Sequence, residues 1–334
     1  MSAGRTNPFV FVVGCPRSGT TLLQRMLDHH PQLAVANDTH FISRALYKSA
    51  PRQVARAVEG LEIPLDEALI DGLLSYHRFH RIGVDADDAR AMAAESSTYA
   101  GWIERIYTGF AARRGKPHGG EKTPDYVRYM PLLHGLFPRA KFLHIIRDGR
   151  DVALSTLDWA GPRKGPGKWD LWEQEPVGAC ALWWRWQVET GRADARRLAV
   201  GSHVEVCYEN LVRDPARQLR WISAFLALPY TESMVRFHSG KTTSIPGKSA
   251  KGNWLPATPG LRDWNTQMQP DDQALFQCIA GQTLAALALP ATEHPIPATV
   301  RSRARVCIEW WRQFIDRRRK KTRRRLEGTV ERVV

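Results

Sequence analysis

The sequence predicts an α/β fold in which a central parallel sheet is covered by helices on both faces. Three observations predict it. Residues 9–13 (FVFVV) form a continuous apolar run that ends at a glycine turn, the pattern of a strand buried on both sides. Residues 20–29 follow at once with Leu22, Leu23, Met26 and Leu27 at helical spacing and Pro31 just beyond. The same strand, loop and helix order recurs twice. Residues 141–146 (KFLHII) lead into a helix from about Asp151, which is placed to cap it. Residues 204–208 (VEVCY) precede Pro215, near the first turn of a helix carrying Leu219, Trp221, Ile222, Phe225 and Leu226. Such repetition requires a parallel sheet. Ligands of these sheets bind beyond the carboxyl ends of the strands.

The 334 residues are enough for one large domain, expected over residues 1–300, with a helical insertion at about 41–119 and a basic C-terminal helix or tail at 301–334. Within the insertion, residues 68–74 and 102–112 are amphipathic. Residues 161–168 and 242–260 read as long loops, a length often used for lids. No internal repeat is visible. The 43% hydrophobic content supports a buried core and excludes general disorder. No apolar run approaches the ~18 residues of a membrane span, and residues 9–13 are too short for a signal-peptide core. The five cysteines (Cys15, Cys180, Cys207, Cys278, Cys307) form no CxxC pair, which argues against zinc and against a disulfide framework. A reducing, cytoplasmic setting is the resulting expectation.

The net charge of +14 is uneven. Residues 301–334 hold 13 Lys/Arg against 4 Asp/Glu, a net of +9, which leaves +5 (35 against 30) for the rest. Residues 301–325 combine Trp310, Trp311, Phe314 and Ile315 with the run RRRKKTRRR. That segment fits a packed helix with a solvated charge run, a peripheral contact with an anionic membrane surface, or a polyanion site. Nucleic acid is not an expected partner, and oligomeric state is not legible.

Two segments have the chemistry of anion cradles. Residues 14–21 (GCPRSGTT) stand between the first strand and its helix, where backbone N–H groups and the helix dipole favour an anion. Against the nucleotide pattern GxxxxGK[ST], Gly14, Gly19 and Thr21 match, but Thr20 occupies the lysine position. A loop with Arg17 and two hydroxyls suits a phosphate yet is poorly equipped for metal-assisted triphosphate chemistry. Residues 145–155 (IIRDGRDVALS) repeat the logic after the middle strand, with Arg147 at the strand end and Ser155 one turn into the helix. Arg147 offers a bidentate fork for a phosphate. A solvated ion-pair cluster of Arg147, Asp148, Arg150 and Asp151 is the plainer reading. Two anion cradles on neighbouring strand ends would suit a nucleotide phosphorylated at both its 5′ and 3′ positions.

These residues resemble a known family. FVVGCPRSGTTLL (11–23) is similar to the 5′-phosphosulfate loop of sulfotransferases that use 3′-phosphoadenosine 5′-phosphosulfate (PAPS), and HIIRDGRDVALS (144–155) to their 3′-phosphate segment. EKTPDY (121–126) resembles the EK[ST]PxY stretch of carbohydrate sulfotransferases. EVCYENLVRDP (205–215) resembles xRYExLxxDP, with Cys207 where arginine is usual. The resemblance covers roughly residues 8–290 with gaps. The wording PRSGTT is nearer the tyrosylprotein, Golgi carbohydrate and bacterial branches than the cytosolic phenol and steroid enzymes. It implies a P-loop-type three-layer sandwich and PAPS as donor, with no metal. It also implies sulfuryl transfer to a hydroxyl or amine of an acceptor, expected to be a carbohydrate or glycolipid. By matching position, Arg17, Ser18, Gly19, Thr20 and Thr21 would hold the 5′-phosphosulfate, Arg147 and Ser155 the 3′-phosphate, and Tyr208 would lie near the nucleotide. Lys251 and Gly252, in an altered form of the family's basic-glycine loop (residues 248–254), would close over it.

Sulfuryl transfer needs a base for the acceptor proton and positive charge at the leaving oxygen. The resemblance assigns the second role to Arg17 and Lys122; a surface lysine paired with Glu121 is the plainer reading of the latter. For the base, residues 37–41 (NDTHF) fall where the tyrosylprotein branch has a glutamate. Asp38 and His40 are both candidates, Asp38 as the base itself or as the group that orients His40. Trp159, Trp169, Trp172, Trp183, Trp184 and Trp186 are either walls of an acceptor pocket or core residues. The competing readings are a P-loop kinase or NTPase, with Asp148 as a Mg²⁺ ligand, and a catalytically silent polyanion-binding protein.

Overall fold

Strand β1 (Val10–Val13) opens the computed structural model, which describes residues 9–160, 165–238, 257 and 259–327; for residues 160, 168 and 321–327 it describes the backbone path only. The chain divides into two units. One takes Met1–Ile146 and Thr190–Pro259, the other Arg147–Glu189 and Gly260–Val334.

In the first unit, β1 is followed by α1 (Thr20–Asp28), β2 (Leu33–Asn37), α2 (Phe41–Ser49), α3 (Gln53–Val58), α4 (Glu67–Leu74), α5 (Ala86–Ala94), α6 (Tyr99–Ala112), β3 (His118–Lys122), α7 (Met130–Leu136) and β4 (Lys141–Ile146). The second unit contributes α8 (Gly149–Ala160), α9 (Leu171–Gln174) and most of α10 (Pro176–Ala195), which re-enters the first unit at Thr190. There β5 (His203–Cys207), α11 (Tyr208–Arg213) and α12 (Pro215–Phe225) complete the first unit. Helices α13 (Trp264–Gln267), α14 (Pro270–Ala286) and α15 (Ala298–Glu327) complete the second.

The five strands run parallel in the order β2-β3-β1-β4-β5, the architecture the sequence predicts. Their register aligns Asn37 with Lys122, Val12 with Lys122 and Val13 with His144, so the loops leaving β1, β2 and β3 emerge at one edge. Alternation along β1 sends Phe11 and Val13 into one core cluster and Val10 and Val12 into the other. The first cluster stacks Phe9, Phe11, Phe137 and Phe142 at centroid distances of 4.5–5.3 Å under helices α2–α7. The second packs α1 and α12 on the opposite face.

Sequence reading found β1, β4 and β5 and missed two strands. β2 (LAVAN) is a brief apolar run with no flanking pattern to mark it. β3 (HGGEK) carries glycines where β-branched residues would announce a strand. Those glycines are there for space: a Cβ on Gly119 would stand 2.5 Å from the Tyr107 carbonyl oxygen, and one on Gly120 would stand 2.7 Å from that of Val10.

In the second unit, the start of α8 packs closely on Trp184 and Phe276, which stand 5.8 Å apart; a Cβ on Gly149 would meet both rings within 2.6 Å. Val300, Ala304 and Cys307 bury the first half of α15, and Arg303 binds Glu175 through two 2.8 Å bonds. Further along, Trp310, Trp311 and Phe314 pack against Trp169 and Trp186 rather than standing clear of the unit. Trp184 is fully buried and Trp159 is exposed. No described helix is long and apolar enough to cross a membrane.

Candidate active site

The loop after β1 is shaped by two glycines. Gly14 (φ 151°) lies against β4, where a Cβ would fall 2.4 Å from the Ile145 carbonyl oxygen. Gly19 (φ 92°) supports the Tyr208 ring, which a Cβ would approach to 2.4 Å. Ser18 N–H donates to the Cys15 carbonyl at 3.1 Å and closes the turn, and Arg17 takes a left-handed φ of 77°. Helix α1 begins at Thr20 with no side-chain cap on its first amides, so those N–H groups and the helix dipole face the loop's concave side. Ser18 and Thr20 are buried, Arg17 and Thr21 half-buried. Among the described residues, the Ser18 hydroxyl has no hydrogen-bond partner.

The turn after β2 is strained. Asp38 and His40 both adopt left-handed φ values, 60° and 61°, a conformation that costs roughly 1–3 kcal/mol per non-glycine residue and persists only where the surroundings impose it. What imposes it is visible. The Asp38 amide donates to the Lys122 carbonyl at 2.6 Å, and the Thr39 amide donates to Glu121 Oε1 at 3.0 Å. Asp38 Oδ1 meets His40 Nε2 at 2.8 Å, while Oδ2 accepts from Arg78 Nη1 at 3.1 Å and Arg81 Nη1 at 2.8 Å. Burial would raise the Asp38 carboxyl; the His40 hydrogen bond and the charges of Lys122, His40 and Arg78 outweigh it and hold the group well below the usual carboxylate range.

Lys122 ends β3 with 4% of its surface exposed. Among the described residues nothing forms a hydrogen bond or ion pair with its ammonium. Burial lowers its pKa, opposed by Asp38 and Glu121 and assisted by Arg81 and Arg25. The expected alternative, a surface lysine paired with Glu121, does not describe it. Glu121 points to the other face of the strand, where Thr39 N–H, Tyr107 OH (2.6 Å) and Thr123 OH take its oxygens. The turns of β1, β2 and β3 therefore bring Arg17, Ser18, Thr20, Thr21, Asp38, His40 and Lys122 to one edge of the sheet.

Arg147 opens the second unit directly after β4. Its Nη2 lies 3.2 Å from Asp151 Oδ2, and both residues are buried. Asp151 does not cap α8: that helix begins at Gly149, and the Asp151 carboxylate accepts the Trp264 amide instead, at 2.9 Å. Burial pushes its carboxyl up to about 6, with Arg147 pulling it down and Asp148 adding to the rise. Ser155 lies one turn further along α8 and is buried. Asp148 is bound by Arg150 through Nε at 3.0 Å and Nη2 at 2.6 Å, and Arg150 stacks 3.4 Å over the Trp264 ring. Lys251 and Gly252 lie outside the described residues, as does the rest of residues 248–254.

The sequence model of the sulfotransferase family matches residues 8–232, two thirds of the chain. The chain belongs to the sulfotransferase family. These are transferase enzymes, and the match spans the loop after β1, the Asp38 turn, Lys122, Arg147, Ser155 and Tyr208. Protein-tyrosine sulfotransferase A of Caenorhabditis elegans is 27% identical over 243 residues, covering 72% of this chain and 56% of that protein. Human protein-tyrosine sulfotransferase 1 is 29% identical over 273 residues, covering 79% and 65%. The chain thus spans between about half and two thirds of the length of these relatives. In fold it is similar to the sulfotransferase domain of the Synechococcus PCC 7002 olefin synthase (TM-score 0.58, 22% identity, 87% of this chain and 98% of that one). It is also similar to the sulfotransferase domain from the curacin biosynthetic pathway (TM-score 0.52, 17% identity, 91% and 98%).

These relatives overturn the cytoplasmic expectation, which is withdrawn: they are protein-tyrosine sulfotransferases, the branch whose loop wording PRSGTT resembles, rather than cytosolic phenol or steroid enzymes. Free cysteines and the lack of an apolar helix do not fix a compartment. Sequence reasoning also missed Arg78 and Arg81. Arg78 immediately precedes, and Arg81 lies within, a 3₁₀ turn (Phe79–Ile82) in the sulfotransferase's helical layer, some forty residues from the carboxylate they bind. The one local signal is a cluster of histidines and arginines at residues 77–81.

Proposed function

We propose that this sulfotransferase moves a sulfuryl group from PAPS to an acceptor hydroxyl, with His40 as the base, Asp38 as the residue that orients it, and Lys122 and Arg17 at the leaving oxygen. The observation that carries this is the strained Asp38–His40 pair beside a buried ammonium with no described hydrogen-bond partner. A carboxylate gripped by two guanidinium groups and an imidazole is a weak base, whereas the His40 ring keeps a second nitrogen that can accept a hydroxyl proton. With Nε2–H donating to Asp38, Nδ1 accepts the acceptor's proton. The acceptor oxygen forms the new S–O bond as the bond from sulfur to the 5′-phosphate oxygen breaks. 3′,5′-ADP departs with the added negative charge, which Lys122, Arg17 and the α1 amides stabilise. Ser18, Gly19, Thr20 and Thr21 would cradle the 5′-phosphate, Tyr208 would flank the nucleotide, and Arg147 with Ser155 would hold the 3′-phosphate.

The acceptor we infer is the phenol of a protein tyrosine, after the names of the curated relatives. A phenol, with a pKa of about 10, yields its proton to an imidazole far more readily than a sugar alcohol does. A carbohydrate acceptor is the second reading. It is favoured by a cavity of about 420 Å³ in the second unit walled by Trp169, Trp310 and Phe314, with Asp170, Arg317 and Arg318 at its rim.

Thermal shift tests the donor. 3′,5′-ADP raises the unfolding midpoint, since a ligand at a hundred times its Kd adds about 2.7 kcal/mol; stabilisation by ATP·Mg²⁺ alone would instead favour a kinase or NTPase. Transfer of labelled sulfate to a tyrosine peptide but not to an oligosaccharide supports the phenol, and the reverse pattern supports the sugar.

A further inference from the structure

Arg147 lies two residues before α8, and Asp151 and Ser155 stand four apart on one face of that helix. Arg147, Asp151 and Ser155 are each less than a tenth exposed, and Asp151 Oδ2 holds the Arg147 fork at 3.2 Å. The other acid nearby, Asp148, is engaged by Arg150, which donates from its backbone N at 2.9 Å as well as from its guanidinium. From α13, Asp151 receives the Trp264 amide, with the half-buried Asp263 next to it in sequence. Further along α8, Asp158 pairs with Arg262 at 2.6 Å. Helices α10 and α14 present neutral groups to this segment: Trp184, whose indole N–H donates to the Arg147 carbonyl at 3.0 Å, and Phe276.

We propose that Asp151 is a positioning residue for donor binding, which holds Arg147 until the nucleotide's 3′-phosphate takes its place and then binds a proton. This rests on Arg147 as the 3′-phosphate ligand. A phosphate dianion offers the guanidinium a better bidentate partner than one carboxylate oxygen at 3.2 Å. With Asp148 already beside it, a buried Asp151 cannot stay ionised next to two further negative charges, so its carboxyl takes one proton from solvent as the phosphate docks. Its position near 6 in the free protein, set by burial, makes that proton accessible close to neutrality. The protonated acid keeps a lone pair for the Trp264 amide and gains an O–H that can donate to the phosphate.

Titration calorimetry of 3′,5′-ADP between pH 7 and 8 tests this, in a range where the 3′-phosphate is already a dianion. For the full chain the expected result is a Kd that weakens up to tenfold per pH unit, and close to one proton bound per nucleotide when heats in two buffers of different ionisation enthalpy are compared. Asp151→Asn keeps the acceptor for Trp264 and removes the charge; its Kd is flat across the same range. 5′-AMP, which lacks the 3′-phosphate, shows no such slope with either protein. No proton uptake by the wild type, or the same slope in Asp151→Asn, overturns the role of Asp151 while the donor reading stands. Failure of 3′,5′-ADP to bind at all overturns the donor reading itself.

Discussion

Replacing Lys122 by methionine separates catalysis from stability with opposite signs. Lys122 is 4% exposed and its ammonium makes no hydrogen bond or ion pair with a described residue, so its charge is carried at the expense of the fold. Desolvation of such an ion costs several kcal/mol, of which the attraction of Asp38 and Glu121 returns part. Methionine keeps the length of the chain and discards the ion; comparable replacements of buried charge stabilise by about 1–4 kcal/mol. Activity moves the other way, because loss of one donor to a developing negative charge lowers turnover about 10²–10³-fold. The pH dependence has a definite sign. The folded pKa of Lys122 lies below the unfolded value, so the penalty is fully present below the folded pKa and fades as pH rises from there toward about 10. The methionine variant's advantage in urea midpoint should therefore be largest at the acid end of the range and shrink in alkali. Sulfate transfer and urea unfolding measured on the same preparation decide the matter. A methionine variant that is less stable than wild type by more than about 1 kcal/mol, or that retains full transfer, refutes the view that this lysine is held at a structural cost for chemistry.

Three further outcomes are expected. Gly19→Ala meets both a positive φ and the Tyr208 ring at 2.4 Å, which should cost about 2–5 kcal/mol when strain and overpacking are combined; adding Tyr208→Ala should recover the steric part by about 1–3 kcal/mol in a double-mutant cycle, and no recovery would mean the ring does not occupy that space. His40→Gln should lower turnover about 10²–10⁴-fold with little change in 3′,5′-ADP affinity, and an equal loss of affinity would move His40 from base to nucleotide ligand. Asp38 has a folded pKa below its unfolded value, so its stabilisation is present above the ordinary carboxylate range and is lost as pH falls below about 4. Wild type and Asp38→Asn should accordingly converge in urea midpoint as the buffer is made acid, and a gap that persists at low pH would assign the difference to shape rather than charge.

Much of the framework was legible because it is written in local patterns. The apolar runs of β1, β4 and β5 and the glycine loop 14–21 declare themselves within a few residues, since burial on both faces of a parallel strand demands unbroken hydrophobicity. The same local reading singled out Arg17, Lys122, Arg147, Ser155 and Tyr208 as candidates through motif wording. β3 was not legible, because close contact with α6 and β1 forces Gly119 and Gly120 into it and erases the strand signature.

Other features are decided only when distant segments meet. Whether Asp38 or His40 is the better base depends on Arg78 and Arg81, which arrive from a different layer. Lys122 is buried rather than solvated because β3 lies inside the sheet, with β2 and β1 on its two sides. Asp151 is a partner of Arg147 and Trp264 rather than a helix cap because α13 folds back on α8. Sequence alone determined which groups carry charge and where β1, β4 and β5 run; tertiary structure decided which of those charges face one another and how much water each retains. Charge interactions and desolvation depend on distance in space, and hydrophobic patterning along the chain does not encode that distance.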